Sequence, residues 1–176
     1  MNYTEEMKNV FDDKTSVLAH CISSDYVMGA GIAAAFTKMG VKAYLKANYP
    51  EEWDGHGRCI ICEIPDGDNK GQLVANLITK ELVNDKPTYT SVIEALADMK
   101  GQMEERGLNK VCMPFIGCGI DGLKWTELKP EIDKLFGNTD FDVVVRYRNE
   151  MDRDTAYGKS ISYADKMRNL FGDKAR

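Results

Sequence analysis

Short apolar runs alternate along the chain with stretches in which apolar residues recur every three or four positions. The runs at 16–22, 58–64, 72–79, 110–113 and 141–147 read as buried strands. Turn residues bound them: Ser23-Ser24-Asp25 after the first and Pro65-Asp66-Gly67-Asp68 after the second. Helical spacing fills the intervals. One helix opens in the Gly-rich segment Met28-Gly29-Ala30-Gly31-Ile32-Ala33-Ala34-Ala35-Phe36 and closes at Met39-Gly40, and a second short one spans 41–48. A third follows the turn Lys86-Pro87-Thr88-Tyr89. Thr88 or Ser91 can cap it, and Ser91-x-x-Glu94 has the capping-box form. Ile93, Leu96, Ala97 and Met103 give this helix one apolar face, and Gly107 ends it. A fourth runs from about 126 to 136. The first 15 residues are polar and yield only a strand end at Val10-Phe11 and a turn at Asp12-Asp13-Lys14. Residues 51–57 form a loop in which Trp53 is a packing residue.

The order is strand, helix, strand, strand, helix, strand, helix, strand. It predicts a three-layer α/β domain with a mixed central sheet. Ligands of such sheets sit beyond the carboxyl ends of the strands. After Tyr147 the pattern changes. Residues 148–159 are charged and loop-like. Ser162-x-x-Asp165 then caps a short helix with Ala164, Met167, Leu170 and Phe171 on one side and Gly172 at its end. The expected division is a domain over 1–147 and an extension over 148–176. A terminal helix docked on the domain is preferred to a partner-binding one.

Composition narrows the function. At 176 residues, with 43% hydrophobic and 9% aromatic content, the chain suits one globular domain with its own core. No apolar run approaches the ~20 residues of a membrane span. The stretch Met1-Asn2-Tyr3-Thr4-Glu5-Glu6 lacks the basic and apolar regions of a signal peptide, so a cytoplasmic location is expected, with no membrane partner. Five cysteines make an odd number, which excludes a full disulfide framework and fits free thiols in a reducing compartment. A net charge of −5 argues against a broad electrostatic grip on nucleic acid, but an anion held by backbone N–H groups is still allowed. Cys59 and Cys62, near His56, have metal-like spacing. Residues three apart on a strand face opposite sides and no second pair exists, so no metal site is expected.

Two Gly-rich loops follow strands and open helices. The first is Met28 to Phe36. It lacks the third glycine of a dinucleotide fingerprint. The second is Pro114-Phe115-Ile116-Gly117-Cys118-Gly119-Ile120-Asp121-Gly122. Such turns aim free N–H groups at a bound anion, and two of them suit a diphosphate held between helix N-termini. Asp121 would repel that anion, so its place among the glycines suits a catalytic group beside the anion. Lys80 ends a strand at the same edge of the sheet.

Several motifs recur in a known order: His20-Cys21-Ile22-Ser23, Met28-Gly29-Ala30-Gly31-Ile32-Ala33, Asn76-Leu77-Ile78-Thr79-Lys80, Lys86-Pro87-Thr88-Tyr89, and Met113-Pro114 with Ile116-Gly117-Cys118-Gly119-Ile120-Asp121. In these the chain resembles a macrodomain, and more narrowly the terminal ADP-ribose protein glycohydrolase subgroup, related to antitoxin macrodomains that remove ADP-ribose from DNA. The likeness covers roughly 8–147. It implies a three-layer α/β/α macrodomain with an ADP-ribose pocket and no metal or organic cofactor. The loop of Gly29, Ala30, Gly31, Ile32 and Ala33 and the loop of Ile116, Gly117, Cys118, Gly119 and Ile120 would wrap the diphosphate and distal ribose. Val10, His20, Ile22, Ser23, Met28, Leu77, Thr79 and Pro114 complete the implied ligand set. His20 is read as a hydrogen-bonded residue at a strand end rather than a base. Lys80 and Asp121 match the subgroup's catalytic pair, in which the lysine attacks the anomeric carbon and the aspartate helps to resolve the adduct.

The chain departs from the family where an aspartate usually receives the adenine amino group. Lys8-Asn9-Val10-Phe11 stands there, and Asn9 can accept only through an uncharged amide oxygen. The implied substrates are ADP-ribose, ADP-ribosylated protein or ADP-ribosylated nucleic acid, and a monomer is expected. Three functions compete. The first is a hydrolase that removes ADP-ribose from a carboxylate side chain or nucleobase. The second is a phosphatase for ADP-ribose 1-phosphate, and the third a non-catalytic reader of ADP-ribose. Retention of both Lys80 and Asp121 favours the first over the third.

Overall fold

A computed structural model describes residues 1–50 and 55–172. Six strands, β1 (Asn2–Met7), β2 (Val17–Ser23), β3 (Arg58–Glu63), β4 (Leu73–Lys80), β5 (Lys110–Met113) and β6 (Asp142–Tyr147), form one sheet in the order β1-β6-β5-β2-β4-β3. All neighbours are parallel except β3, which runs antiparallel to β4. The mixed sheet is the expected one. Six helices accompany it: α1 (Gly31–Lys38), α2 (Val41–Asn48), α3 (Tyr89–Glu105), α4 (Trp125–Phe136), α5 (Glu150–Ala156) and α6 (Tyr163–Phe171).

The alternation of side chains along each strand builds a core on either face. Val74 and Ile78 of β4 point with Leu18 and Ile22 toward Phe36, Val41 and Leu45 of α1 and α2. Ala75 and Leu77 point the other way, toward Val92, Leu96 and Met99 of α3 and Trp125, Leu128 and Ile132 of α4. Cys59 and Cys62 divide between these two cores, as strand geometry requires. Among the described residues no group of three or more His, Cys, Asp or Glu is placed to hold a metal. All five cysteines are free.

The structure departs from the sequence reading in several places. The polar N-terminus holds a whole edge strand, β1, paired in register with β6 from Asn2↔Asp142 to Met7↔Tyr147. Val10–Asp12 is a 3-10 turn capped by Asn9, not a strand end. The α3 capping box joins Thr88 to Ser91: the Thr88 hydroxyl accepts the Ser91 N–H, and Ser91 Oγ accepts the Thr88 N–H, each at 3.0 Å. Its buried face is Val92, Ala95, Leu96, Met99 and Met103, while Ala97 is exposed. Ile93 lies only at the edge of that face. Residues 148–159 hold a helix, α5, capped by Asn149, whose side-chain oxygen accepts the Asp152 N–H at 3.0 Å. Ser162 caps α6 as expected, but α6 has no fully buried residue, and Ala164 and Phe171 are exposed. The extension contributes instead through α5: Ala156 is buried in the α3 and α4 core, and the Tyr157 hydroxyl donates to Glu5 Oε2 at 2.7 Å. Trp53 lies outside the described residues.

Candidate active site

The carboxyl ends of β2, β4, β5 and β6 share one edge of the sheet. From the adjacent strands β2 and β5 the chain leaves in opposite directions, since α1 packs on one face and α4 on the other. The two Gly-rich loops therefore diverge and leave a crevice between them.

The first loop ends at an uncapped helix. Ala30 is the N-cap of α1 and has no side-chain oxygen to satisfy the N–H groups of the first turn. An anion placed at those groups would meet both the donors and the positive end of the helix dipole. Gly31 adopts φ +58, a left-handed conformation that glycine tolerates. Tyr26 and Met28 are also left-handed, at φ 54 and 46, without that tolerance. Burial of both side chains holds them there. Backbone strain kept in place by packing marks a loop shaped for a purpose.

The second loop folds back on itself. The Leu123 N–H donates to Gly117 O at 2.9 Å, and the Lys124 N–H donates to the Tyr89 hydroxyl at 2.9 Å. Gly117 has φ +71, and a Cβ there would meet Leu123 at 3.0 Å. At Gly119 a Cβ would meet nothing within 4 Å. The glycines thus differ: Gly117 permits the turn, whereas Gly119 leaves open space.

Lys80 and Asp121 meet between the loops. Lys80 Nζ donates to Asp121 Oδ1 at 2.8 Å, with the side chains 13% and 17% exposed. A register shift positions the lysine. Ile22 pairs with Ile78 but Ser23 pairs with Lys80, so Thr79 is an extra residue that turns the end of β4. The Ser24 N–H then donates to Lys80 O at 2.9 Å and pins the strand end. Asp25, which the sequence reading took only as a strand stop, is a further part of this edge. Its carboxylate accepts from the Ser23 hydroxyl and from the N–H groups of Val27 and Val83. Burial works to raise the Asp25 pKa, but these hydrogen bonds and the Lys80 charge together hold it below the ordinary carboxylate value. The Ser-Ser-Asp turn was the only available signal, and it does not reveal what the carboxylate caps. Lys86 was also missed; its Nζ donates to Ile120 O at 3.0 Å.

The remaining expected ligand residues divide by exposure. Gly29, Ala30, Gly31, Ile32, Pro114, Gly117, Gly119 and Ile120 present surface. Val10, Ile22, Ser23, Met28, Ala33, Leu77, Thr79, Ile116 and Cys118 are buried and support the loops from beneath. His20 is corrected most plainly. It lies inside β2 with no exposed surface, bonded through Nε2 to Asn76 Oδ1 at 2.7 Å and packed on Phe36. Burial lowers its pKa to about 4, so the ring is a neutral core element. The Asn9 amide oxygen, expected to meet adenine, already accepts the Phe11 N–H at 2.9 Å. The neighbouring thiols are held in the protonated form. Burial pushes Cys118 up to about 12, and burial with the nearby Asp121 charge pushes Cys21 up as well.

No protein-family model matches the chain. The chain is 37% identical over 134 residues to the ADP-ribose glycohydrolase OARD1 of Homo sapiens, a match covering 75% of this chain and 82% of that protein. It is 29% identical over 144 residues to an ADP-ribose 1''-phosphate phosphatase of Lodderomyces elongisporus, covering 75% of this chain and 88% of that one. Among solved structures it superposes on the macrodomain of Thermus aquaticus DarG with a TM-score of 0.70 at 21% identity, over 82% of this chain and 97% of that one.

Proposed function

The chain belongs to the macrodomain family, in the subgroup of the OARD1 glycohydrolases, and from that premise we propose that it is a hydrolase that binds ADP-ribose and removes it from a modified protein carboxylate or nucleobase. The observation that carries this reading is the Lys80–Asp121 contact of 2.8 Å between two loops of backbone donors. An uncapped helix end and an open Gly119 suit a diphosphate and ribose. A lysine beside a carboxylate suits attack on the anomeric carbon that follows.

A free lysine, with a pKa of about 10.4, must lose a proton before it can attack. Asp121 is within hydrogen-bond reach to take it. Lys80 Nζ then bonds to the anomeric carbon as the bond from that carbon to the acceptor breaks, and the acceptor leaves with the electron pair. Asp121 passes that first proton to the departing acceptor. As a carboxylate again it takes a proton from water, which displaces the lysine as a neutral amine and releases ADP-ribose, and the amine then recovers the proton from Asp121. The carboxylate also stabilises positive charge that develops on the ribose.

The phosphatase-named relative supports a second reading, hydrolysis of ADP-ribose 1-phosphate at the same pocket. The deciding experiment assays the protein in parallel on ADP-ribosylated protein, ADP-ribosylated DNA and ADP-ribose 1-phosphate. Turnover of the phosphate alone would replace the glycohydrolase reading, and binding without turnover of any would leave a reader. Among the described residues no helix is long and apolar enough to cross a membrane. The working assignment is a cytoplasmic monomer with a 1–147 catalytic domain and a 148–176 extension.

A further inference from the structure

Most large apolar side chains are buried, yet Val27, Leu82, Val83 and Ile120 are exposed, Leu82 by 58% and Ile120 by 51%. They lie on three separate loops that the polar network at Lys80 draws together. The Asp25 carboxylate accepts the N–H of Val27 at 3.2 Å and that of Val83 at 2.9 Å. The Ser24 hydroxyl donates to Glu81 O at 2.8 Å, the Lys86 ammonium to Ile120 O at 3.0 Å, and Lys80 to Asp121 at 2.8 Å. The loops that carry the four side chains are thus tied to one another beside the Lys80–Asp121 pair. Exposed apolar residues gathered beside a polar site mark an interaction surface. A cavity of about 330 Å³ opens beside it, lined by Lys80, Lys86 and Thr88 among others.

Charge selects the occupant. Glu81 and Asp85 line that cavity together with Lys80 and Lys86, Asp121 pairs with Lys80, and Asp25 lies between two of the apolar loops, so four carboxylates stand against two ammonium groups in a chain that carries −5 overall. A nucleic-acid strand would bring its phosphates against these carboxylates. A polypeptide with apolar residues beside its modified side chain would bury the rim without that repulsion. We propose that Val27, Leu82, Val83 and Ile120 form the acceptor-side docking surface for a polypeptide substrate, seating the residues that flank the ADP-ribosylated side chain. This rests on the glycohydrolase reading of the same site.

The test uses the full chain, with Lys80→Ala to prevent turnover, and titrates three probes by fluorescence competition. These are free ADP-ribose, an ADP-ribosylated peptide with leucine and valine flanking the modified glutamate, and ADP-ribosylated single-stranded DNA. The peptide should bind at least about tenfold tighter than ADP-ribose, as expected from burying one further large aliphatic side chain. Leu82→Glu or Val27→Glu should erase that gain and leave the affinity for ADP-ribose unchanged, which also shows that the variants fold. No gain with the peptide, a gain that survives both substitutions, or an equal gain with DNA would each overturn the proposal. Failure of ADP-ribose itself to bind would instead sink the underlying reading of the site, and the docking surface with it.

Discussion

Asp121→Ala separates the structural from the chemical part of the Lys80–Asp121 pair. At 2.8 Å and an effective dielectric of about 20, the direct attraction is about 6 kcal/mol. Dehydration of two side chains only 13% and 17% exposed offsets most of that attraction. A net loss of about 1–2 kcal/mol is expected, which lowers the melting temperature of a domain this size by about 2–8 °C. The chain should therefore stay folded. Turnover should fall about 10²- to 10⁴-fold, the range for loss of a positioned acid–base group. The two chemical steps should suffer unequally. Attack needs Lys80 to lose a proton, which solvent can accept, whereas release needs a base held beside the attacking water. ADP-ribose should consequently remain on Lys80, and single-turnover reactions followed by peptide mass mapping would detect it there. Lys80→Ala should be as slow with no adduct, and Lys80→Arg should not rescue it, because a guanidinium stays protonated. The double variant should be hardly worse than the worse single one, since the two groups act together as a unit. Near-normal turnover by Lys80→Ala would refute the lysine mechanism.

Four further outcomes follow from other parts of the structure. Gly119→Glu should leave the melting temperature unchanged, because a Cβ there meets nothing within 4 Å, and should abolish ADP-ribose binding by calorimetry. Gly117→Ala should instead lower stability by about 1–3 kcal/mol, since it combines φ +71 with a 3.0 Å contact on Leu123. Because His20 has a folded pKa of about 4, below the ordinary histidine value of about 6.5, its neutral burial stabilises the fold fully above pH 6.5. That stability, up to about 3 kcal/mol, is lost as pH falls toward 4. Urea denaturation at pH 7 and pH 5 should show a smaller loss for His20→Gln than for the unaltered chain, and equal losses would exclude the histidine as cause. A chain ending at Gly158 should keep turnover and most of its stability. One ending at Tyr147 should lose about 3 kcal/mol in denaturant unfolding, because it also discards buried Ala156 and the Tyr157 contacts with Glu5 and Phe115.

The strands β2 to β5 were legible because burial on both faces writes an apolar run into the local sequence, and β6, buried on one face only, because of its β-branched run Val143-Val144-Val145. The first strand was not, because Asn2–Met7 is a polar edge segment with no fully buried residue. It is a strand by virtue of pairing with residues about 140 positions away. The face of α3 was misplaced for a related reason: both Ile93 and Val92 fit helical spacing, and only the position of the sheet decides which is buried. The helix α5 has too little apolar content for its pattern to show.

The same division runs through the site. Glycine in the two loops, and the presence of Lys80 and Asp121 in recognisable motifs, could be read directly, because backbone freedom and side-chain chemistry belong to single residues. What the sequence by itself determined was the kind of groups present: glycine-rich loops after strands, a lysine and a carboxylate, at the carboxyl edge of an α/β sheet. The tertiary structure decided which groups meet. It brought together a lysine and an aspartate 41 residues apart, set the lysine with an extra residue in β4, and tied Val27 to Val83 through Asp25. It also withdrew His20 into the core. Register, burial and long-range hydrogen bonds depend on pairs of segments packed in space, and no single stretch of chain carries them.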